Sequence, residues 1–458
     1  MLARYGNKMI DEDINRERYN NEDFKQPANF DYNVNPVYGE DIDPNRSSRI
    51  IRAQHFKRQH VVNTITPNSV KPGATLIVEM PKLGKNDMIV PGSIFLSFNM
   101  DISGTKDAKR SVVLNLGRKI IKKVSIKFEG KPEREIDEYD EIMTYMDLWL
   151  SKKEKARRVF QGIQSEEGLK HRVKTNGANG DDGEKAIGKT LGKRFRIPFD
   201  FFELLNDVIP FSQYHLKDKL QFEFTFNDAK SVILGSTDAL ASSNERDYDY
   251  VASDIKMEYD IITDEYLSQA VMAKYNRMIV PVRHIFRYTT KTINKTDTII
   301  NLPINIDVDR LSHVLIFAID PDDRKEFRRN DTFKNLDVTK VKVQYSGKPN
   351  QLYSGDLLTE NSYDQILKLF DSNGVTMGEF LTTKYALCLD FRPSLDFKLH
   401  GNGLKLNDEL KIEINRVGAG TGNLNLHVFL LKDGHLNIHE NGLTFWCEFC
   451  LLECLYSK

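Results

Sequence analysis

Gly183-Glu-Lys-Ala-Ile-Gly188-Lys189-Thr190 fits the pattern G-x-x-x-x-G-K-[ST]. In that pattern the glycines let backbone amides wrap phosphates, while the Lys and Thr meet phosphate and metal. The chemistry needs a buried strand before the loop and a helix after it, so that amides and helix dipole aim at the phosphates. Here GANGDDG precedes the string and the strand-like KRFRIPF follows it. The segment therefore reads as a solvated loop, and no bound cofactor is expected. His435, His439, Cys447, Cys450 and Cys454 contain the His-x3-His and Cys-x2-Cys spacings of a zinc site. On a strand, however, Cys447 and Cys450 point to opposite faces, so these positions read as core and no metal is expected. His215 stands in Gln-Tyr-His near a strand start without a nucleophile motif beside it, the setting of a structural histidine. G-x-S-x-G, H-E-x-x-H and EF-hand patterns are absent, so no catalytic residue is assigned. The dispersed carboxylates of a glycosidase would leave no such local signature. One basic cluster remains, Arg46, Arg49, Arg52, Lys57 and Arg58. It has two readings: contact with nucleic-acid phosphates, or a solvated or intersubunit role.

The elements that must carry these residues are bounded by the totals. A chain of 458 residues suits two sandwiches of roughly 200 residues each better than one. With 40% apolar and 29% charged residues it is a globular composition able to bury two cores. Lys plus Arg number 65 and Asp plus Glu 66, so no broad positive face exists to hold nucleic acid, and any such contact is local. The N-terminal stretch lacks a signal-like apolar run, and no uninterrupted run of about 18 apolar residues occurs. Synthesis in the cytosol and no membrane span are expected. Cys388 stands alone and the other cysteines crowd one end, unlike a secreted disulfide framework, so reduced buried thiols are expected. The Asn-x-Ser/Thr matches at Asn45, Asn294 and Asn330 carry little weight without a secretory route.

Residues 1–57 are polar and aperiodic and read as an N-terminal arm. Beyond them a two-residue period dominates, as at Ile94, Leu96, Phe98, Met100 and Ile102, or Leu220, Phe222, Phe224 and Phe226. It recurs at Val124, Ile126 and Phe128, at Leu410, Ile412 and Ile414, and along Leu424 to Leu430. An antiparallel all-β protein follows. Helical spacing is confined to Tyr139, Ile142, Met143, Met146, Trp149 and Leu150, and to Tyr363, Ile366, Leu367 and Phe370. Segments 163–192 and 227–250 are rich in Gly, Asn, Asp and Ser and read as long surface loops.

The second half restates the first. Thr75-LIVEM-Pro81 aligns with Asp297-TIINL-Pro303 at an offset of 222 residues, and Ile94 with Ile316 at the same offset. KVSIKFEGKP at 123–132 matches KVKVQYSGKP at 340–349, offset 217, and in each copy one of the helical patterns follows. LKDKLQFEF at 216–224 matches LNDELKIEI at 406–414, and DIKMEYD at 254–260 matches TFWCEFC at 444–450, both at offset 190. The last match sets Cys447 opposite Met257. The fall in offset places extra residues in the first copy between 132 and 216, where the loop 163–192 supplies them. Each copy has the size of an eight-stranded jelly roll. The division expected is an arm at 1–57, a first jelly roll at 58–262, a linker helix at 263–276 and a second jelly roll at 277–458.

Tandem eight-stranded sandwiches with an N-terminal arm and long loops resemble the double jelly-roll major capsid proteins of double-stranded DNA viruses. That family includes adenovirus hexon, the coats of large nucleocytoplasmic DNA viruses and those of Maverick/Polinton elements. Local resemblance to the large-virus coats is best at 197–226, through Pro198, Phe199, Phe201, Pro210, Gln213, Tyr214 and His215, with a strand from Leu220 to Phe226. The spacing of the two prolines departs from the large viruses and the chain is shorter than hexon, so it looks closer to Maverick/Polinton or adinto-like coats. The resemblance implies a homotrimer whose six jelly rolls form a pseudo-hexameric capsomer, tiling an icosahedral shell in the virion. It also implies penton and minor capsid proteins as partners, non-specific contact of the basic cluster with packaged DNA, cytosolic synthesis with assembly in the nucleus, and no enzymatic activity. The rival readings share the fold class: a tandem β-sandwich carbohydrate-binding protein, or a sandwich-fold glycoside hydrolase.

Overall fold

The computed structural model describes residues 57–446 except for internal segments, the longest being 159–172, 176–184, 212–219, 236–247 and 393–403. The N-terminal arm, Pro210, Gln213, Tyr214, His215, Cys447, Cys450 and Cys454 lie outside the described residues.

Among the described residues, eight strands frame the first half, with shorter ones beside them: β1 (Lys57–Thr64), β2 (Thr75–Glu79), β3 (Phe95–Gly104), β4 (Ile121–Phe128), β5 (Lys131–Asp137), β6 (Arg194–Pro198), β7 (Leu220–Phe226) and β8 (Tyr248–Thr263). They lie in two antiparallel sheets, ordered β1-β8-β3-β6 and β2-β7-β4-β5. The second half supplies β9 (Ile279–Asn294), β10 (Ile299–Ile304), β11 (Val308–Ile319), β12 (Val338–Tyr345), β13 (Lys348–Pro349), β14 (Leu387–Asp390), β15 (Leu410–Arg416) and β16 (Asn423–His439). Their order is β9-β16-β11-β14 and β10-β15-β12-β13. Adding eight to every strand of the first pair of sheets gives the second pair. Two facing four-stranded sheets in this order make a jelly roll, so the chain holds two.

The periodicity explains why these segments form strands. In β7 every second residue from Leu220 to Phe226 is buried, and β15 repeats the pattern from Leu410 to Arg416. One face packs inward while Gln221, Glu223 and Thr225 stay partly wet. Phe98 stacks on its sheet neighbour Phe195 and meets Phe226 across the first sandwich, both at 6.0 Å, and Phe199 meets the Phe222 ring edge-on at 4.8 Å. Each such ring stabilises the fold by about 1.5–3 kcal/mol through burial. Pro198, Phe199 and Phe201, quoted above for their resemblance, thus end β6 and plug this core.

The helices are α1 (Leu116–Lys119), α2 (Tyr139–Leu148), α3 (Lys152–Arg157), α4 (Ala229–Val232), α5 (Glu265–Tyr275), α6 (Thr359–Phe370) and α7 (Met377–Thr382). Helix α2 follows β5 and α6 follows β13, so strand, turn and helix repeat in both copies. Helix α5 separates the two sets of sheets.

Three sequence expectations need correction. Phe224 faces Leu76 and Val124, and Ile414 faces Ile300 and Val341, so Leu76 corresponds to Ile300, two residues further along than the sequence alignment. A two-residue slip keeps every side chain on its face, and hydrophobic pattern alone cannot detect it. Residues 444–446, the described part of the 444–450 match, do not restate 254–256: β16 takes the place of β8, and Gly442–Trp446 is an added strand folded back on the end of β16. The opposition of Cys447 to Met257 falls with it. Segment 227–250 is not all surface loop, because Asn227, Val232 and Ile233 are buried and Ile233–Gly235 pairs with Arg110–Val112.

Candidate functional site

The most elaborate constellation lies where the two sandwiches meet, and α2 carries it. Tyr145 stacks on Phe317 at 5.2 Å and meets the edge of Phe333 at 4.9 Å, while its hydroxyl donates to the Lys384 carbonyl at 3.2 Å. Just past the helix, Trp149 lies among Tyr363, Phe370 and Phe380 at 5.8–6.2 Å. Gly374 passes so close that an added Cβ would stand 2.1 Å from the Leu150 carbonyl oxygen. Only glycine admits that approach. Apolar residues of the first copy are thereby built into the core of the second.

A buried charge cluster fixes the base of α2. The Arg118 guanidinium is fully buried and donates to Asp147 at 2.9 Å, to Asp200 at 2.6 and 2.9 Å and to the Tyr139 hydroxyl at 2.7 Å. Arg158 adds a second contact to Asp200 at 2.8 Å. Burial alone would raise the Asp200 carboxyl, but Arg118 and Arg158 outweigh it and hold the group well below the usual carboxylate range.

The rim of the joint covers the edge strand β9. Arg134 donates to the Arg283 carbonyl at 2.6 Å, and Arg287 pairs with Asp137 at 2.6 Å and with Glu138 at 3.3 Å. Glu138, at φ 51, turns its carboxylate back to accept from Thr290 at 3.0 Å and to meet His427 at 2.6 Å. Arg324 pairs with Glu141 at 2.7 Å. Helical spacing had identified the apolar face of α2. Arg118, Glu138, Arg324 and His427 were missed, because polar groups paired across 21 to 289 residues leave no local pattern.

Among the described residues the equivalent edge in the first copy is uncovered. Strand β1 exposes Lys57, Arg58, Gln59 and His60, and Val62 is 48% exposed. Of the basic cluster, Arg46, Arg49 and Arg52 lie outside the described residues, while Lys57 and Arg58 open this strand. Arg58 is committed to Asp260 at 2.6 Å, which also takes His60 at 2.8 Å.

The other constellations do not assemble into sites. Lys185–Ile187, inside the phosphate-loop-like string, is a strand paired with Val173–Thr175. His435 and His439 lie in the β16 hairpin opposite Trp446 and Gly442. Among the described residues no group of three or more His, Cys, Asp or Glu could hold a metal, and no helix is long and apolar enough to cross a membrane. A shallow groove of about 370 Å³ on β10, β12 and β15 contains Glu413 and Glu409, paired with Lys342 at 2.7 Å and Lys411 at 2.9 Å.

No protein-family model and no curated protein matches the chain. Solved structures do. A chain from the cryo-electron-microscopy structure of the Sputnik virophage aligns at 12% identity with a TM-score of 0.57, over 91% of this chain and 93% of that one. The Faustovirus major capsid protein aligns at 9% identity with a TM-score of 0.56, over 87% and 93%. A chain of the PBCV-1 virus capsid aligns at 12% identity with a TM-score of 0.55, over 86% and 98%. At such identities the likeness speaks to architecture, and with the strand order above it shows that the chain has the double jelly-roll fold of these viral coat proteins.

Proposed function

We propose that the chain is the major capsid protein of an icosahedral double-stranded DNA virus, forming homotrimers with a pseudo-hexagonal outline. The observation that carries this reading is the unequal treatment of two equivalent edges. The β5–α2 corner of the first jelly roll covers β9 of the second, whereas β1, at the same place in the first, is uncovered among the described residues. An exposed edge strand is a template for another chain. A contact that one chain makes once, and leaves open once, is satisfied head to tail by a neighbour, and such contacts close into rings. Six jelly rolls from three chains would close this ring.

Several finer points belong to the same reading. The chain divides into the arm at 1–57, jelly rolls at 58–262 and 277–458, and the linker at 263–276. It resides in the virion shell beside penton and minor capsid proteins, is made in the cytosol, and acts without catalysis. Its short length supports a kinship with Maverick/Polinton or adinto-like coats. Arg46, Arg49, Arg52 and Lys57 face the packaged DNA, with Arg58 held back by Asp260. Light scattering on the purified full chain tests the proposal. A species near 158 kDa, three times the 52.8 kDa chain, is expected. A monomer that binds glycans would overturn it in favour of a tandem-sandwich lectin or hydrolase.

A further inference from the structure

We propose that the Lys119 side-chain amine forms an amide bond with the Asn330 side chain, joining the first jelly roll covalently to the second. Lys119 ends α1 in the first copy, and Asn330 lies between β11 and β12 in the second. Both are buried, Lys119 to 4% exposure and Asn330 to 0%. The amine donates to the Asn330 backbone carbonyl and stands 3.4 Å from Asn330 Oδ1. The nucleophile is thus in hydrogen-bonding contact with the carboxamide it would attack.

The surroundings supply the remaining requirements. Among the described residues no carboxylate lies within ion-pair distance of Lys119, and the attraction of Glu141, Asp331 and Asp140 only partly offsets the burial of the amine. Burial, reinforced by the nearby Arg324 charge, pushes this amine down to about 8. At neutral pH a fraction on the order of a tenth is then the neutral, nucleophilic form. Asp140 is close enough to interact with that amine, and its Oδ2 accepts from Asn227 at 2.8 Å. Burial and the adjacent Glu141 raise the Asp140 carboxyl, which weakens its hold on a charged amine. Arg324 donates to the same Asn330 carbonyl, pairs with Glu141 at 2.7 Å and lies 5.0 Å over the Phe333 ring. It holds the target in place against an apolar wall.

The step balances without an oxidant or other reagent. The neutral Lys119 amine adds to Asn330 Cγ, forming the Nζ–Cγ bond. A proton passes from Nζ to the departing nitrogen as the Cγ–Nδ2 bond breaks. Ammonia leaves and a neutral amide replaces a buried cation.

Denaturing intact-mass measurement of the full-length chain, with peptide mapping, tests the proposal. The expected mass is below the sequence mass by about 17 Da, one ammonia, with Lys119 resisting trypsin inside a branched peptide that contains Asn330. Lys119→Arg and Asn330→Ala should restore the sequence mass. Asn330→Asp, losing water instead, should end at the same mass as the cross-linked natural chain. A natural chain at full sequence mass, or an ammonia loss mapped to any other site, overturns the proposal. The natural chain alone decides this, even if a variant fails to fold.

Discussion

Replacing Tyr145 probes the joint between the two jelly rolls most sharply. Its ring is fully buried against Phe317 and Phe333, and its hydroxyl donates to the Lys384 carbonyl at 3.2 Å. Removing a buried aromatic side chain costs about 3–5 kcal/mol, cavity included. Within that total, each ring pair contributes roughly 0.5–1.5 kcal/mol beyond burial. The hydrogen bond alone accounts for about 0.5–1.5 kcal/mol. Tyr145→Ala should therefore destabilise by about 4 kcal/mol, and Tyr145→Phe by about 1 kcal/mol. Urea unfolding, followed by fluorescence and by far-UV circular dichroism, measures both. Because the lost contacts cross between the sandwiches, the Ala variant should also split one unfolding transition into two. A cost below about 1 kcal/mol for Tyr145→Ala, with a single transition retained, would refute the view that α2 welds the halves together.

Further expectations concern charge, pH and the open edge. Arg118→Met leaves Asp147 and Asp200 to share Arg158 and should cost about 3–5 kcal/mol, read by urea midpoint; the loss should shrink when Asp147→Asn is added. His313 is fully buried, and burial, despite Asp390 at 3.6 Å, lowers its imidazole to about 4. The unfolded chain then binds this proton first. Stability is thus complete above about pH 6.5 and falls towards pH 4, by roughly 3 kcal/mol from this residue. His313→Gln should flatten that acid limb in pH-dependent unfolding. Val62→Asp, on the bare β1 edge, should leave the monomer's melting temperature within a few degrees while lowering the oligomer fraction in sedimentation.

Much of this fold is legible in the sequence because burial imposes a period. The alternation at Leu220–Phe226 and Leu410–Arg416 marks β7 and β15, and the repeated Gly-Lys-Pro turn marks β4–β5 and β12–β13 with the helix that follows. The same period is the source of the errors. Any strand resembles any other of equal phase, so 254–260 matched the added strand at 442–446 when its true counterpart is β16, and β2 was aligned two residues out of register. The joint was only half visible. The apolar face of α2 is periodic, whereas Glu138 meeting His427 and Arg118 meeting Asp200 depend on distant chain segments brought together by folding. The phosphate-loop string shows the opposite failure, a full match by letter whose context is a hairpin strand at Lys185–Ile187.

Single-particle imaging of the purified oligomer tests the central claim most directly. The account predicts a ring of six jelly rolls from three chains, in which the β1 edge of each first jelly roll is covered by the second jelly roll of the next chain. A particle with β1 exposed to solvent on every chain, or a closed dimer with no pseudo-hexagonal outline, would contradict it.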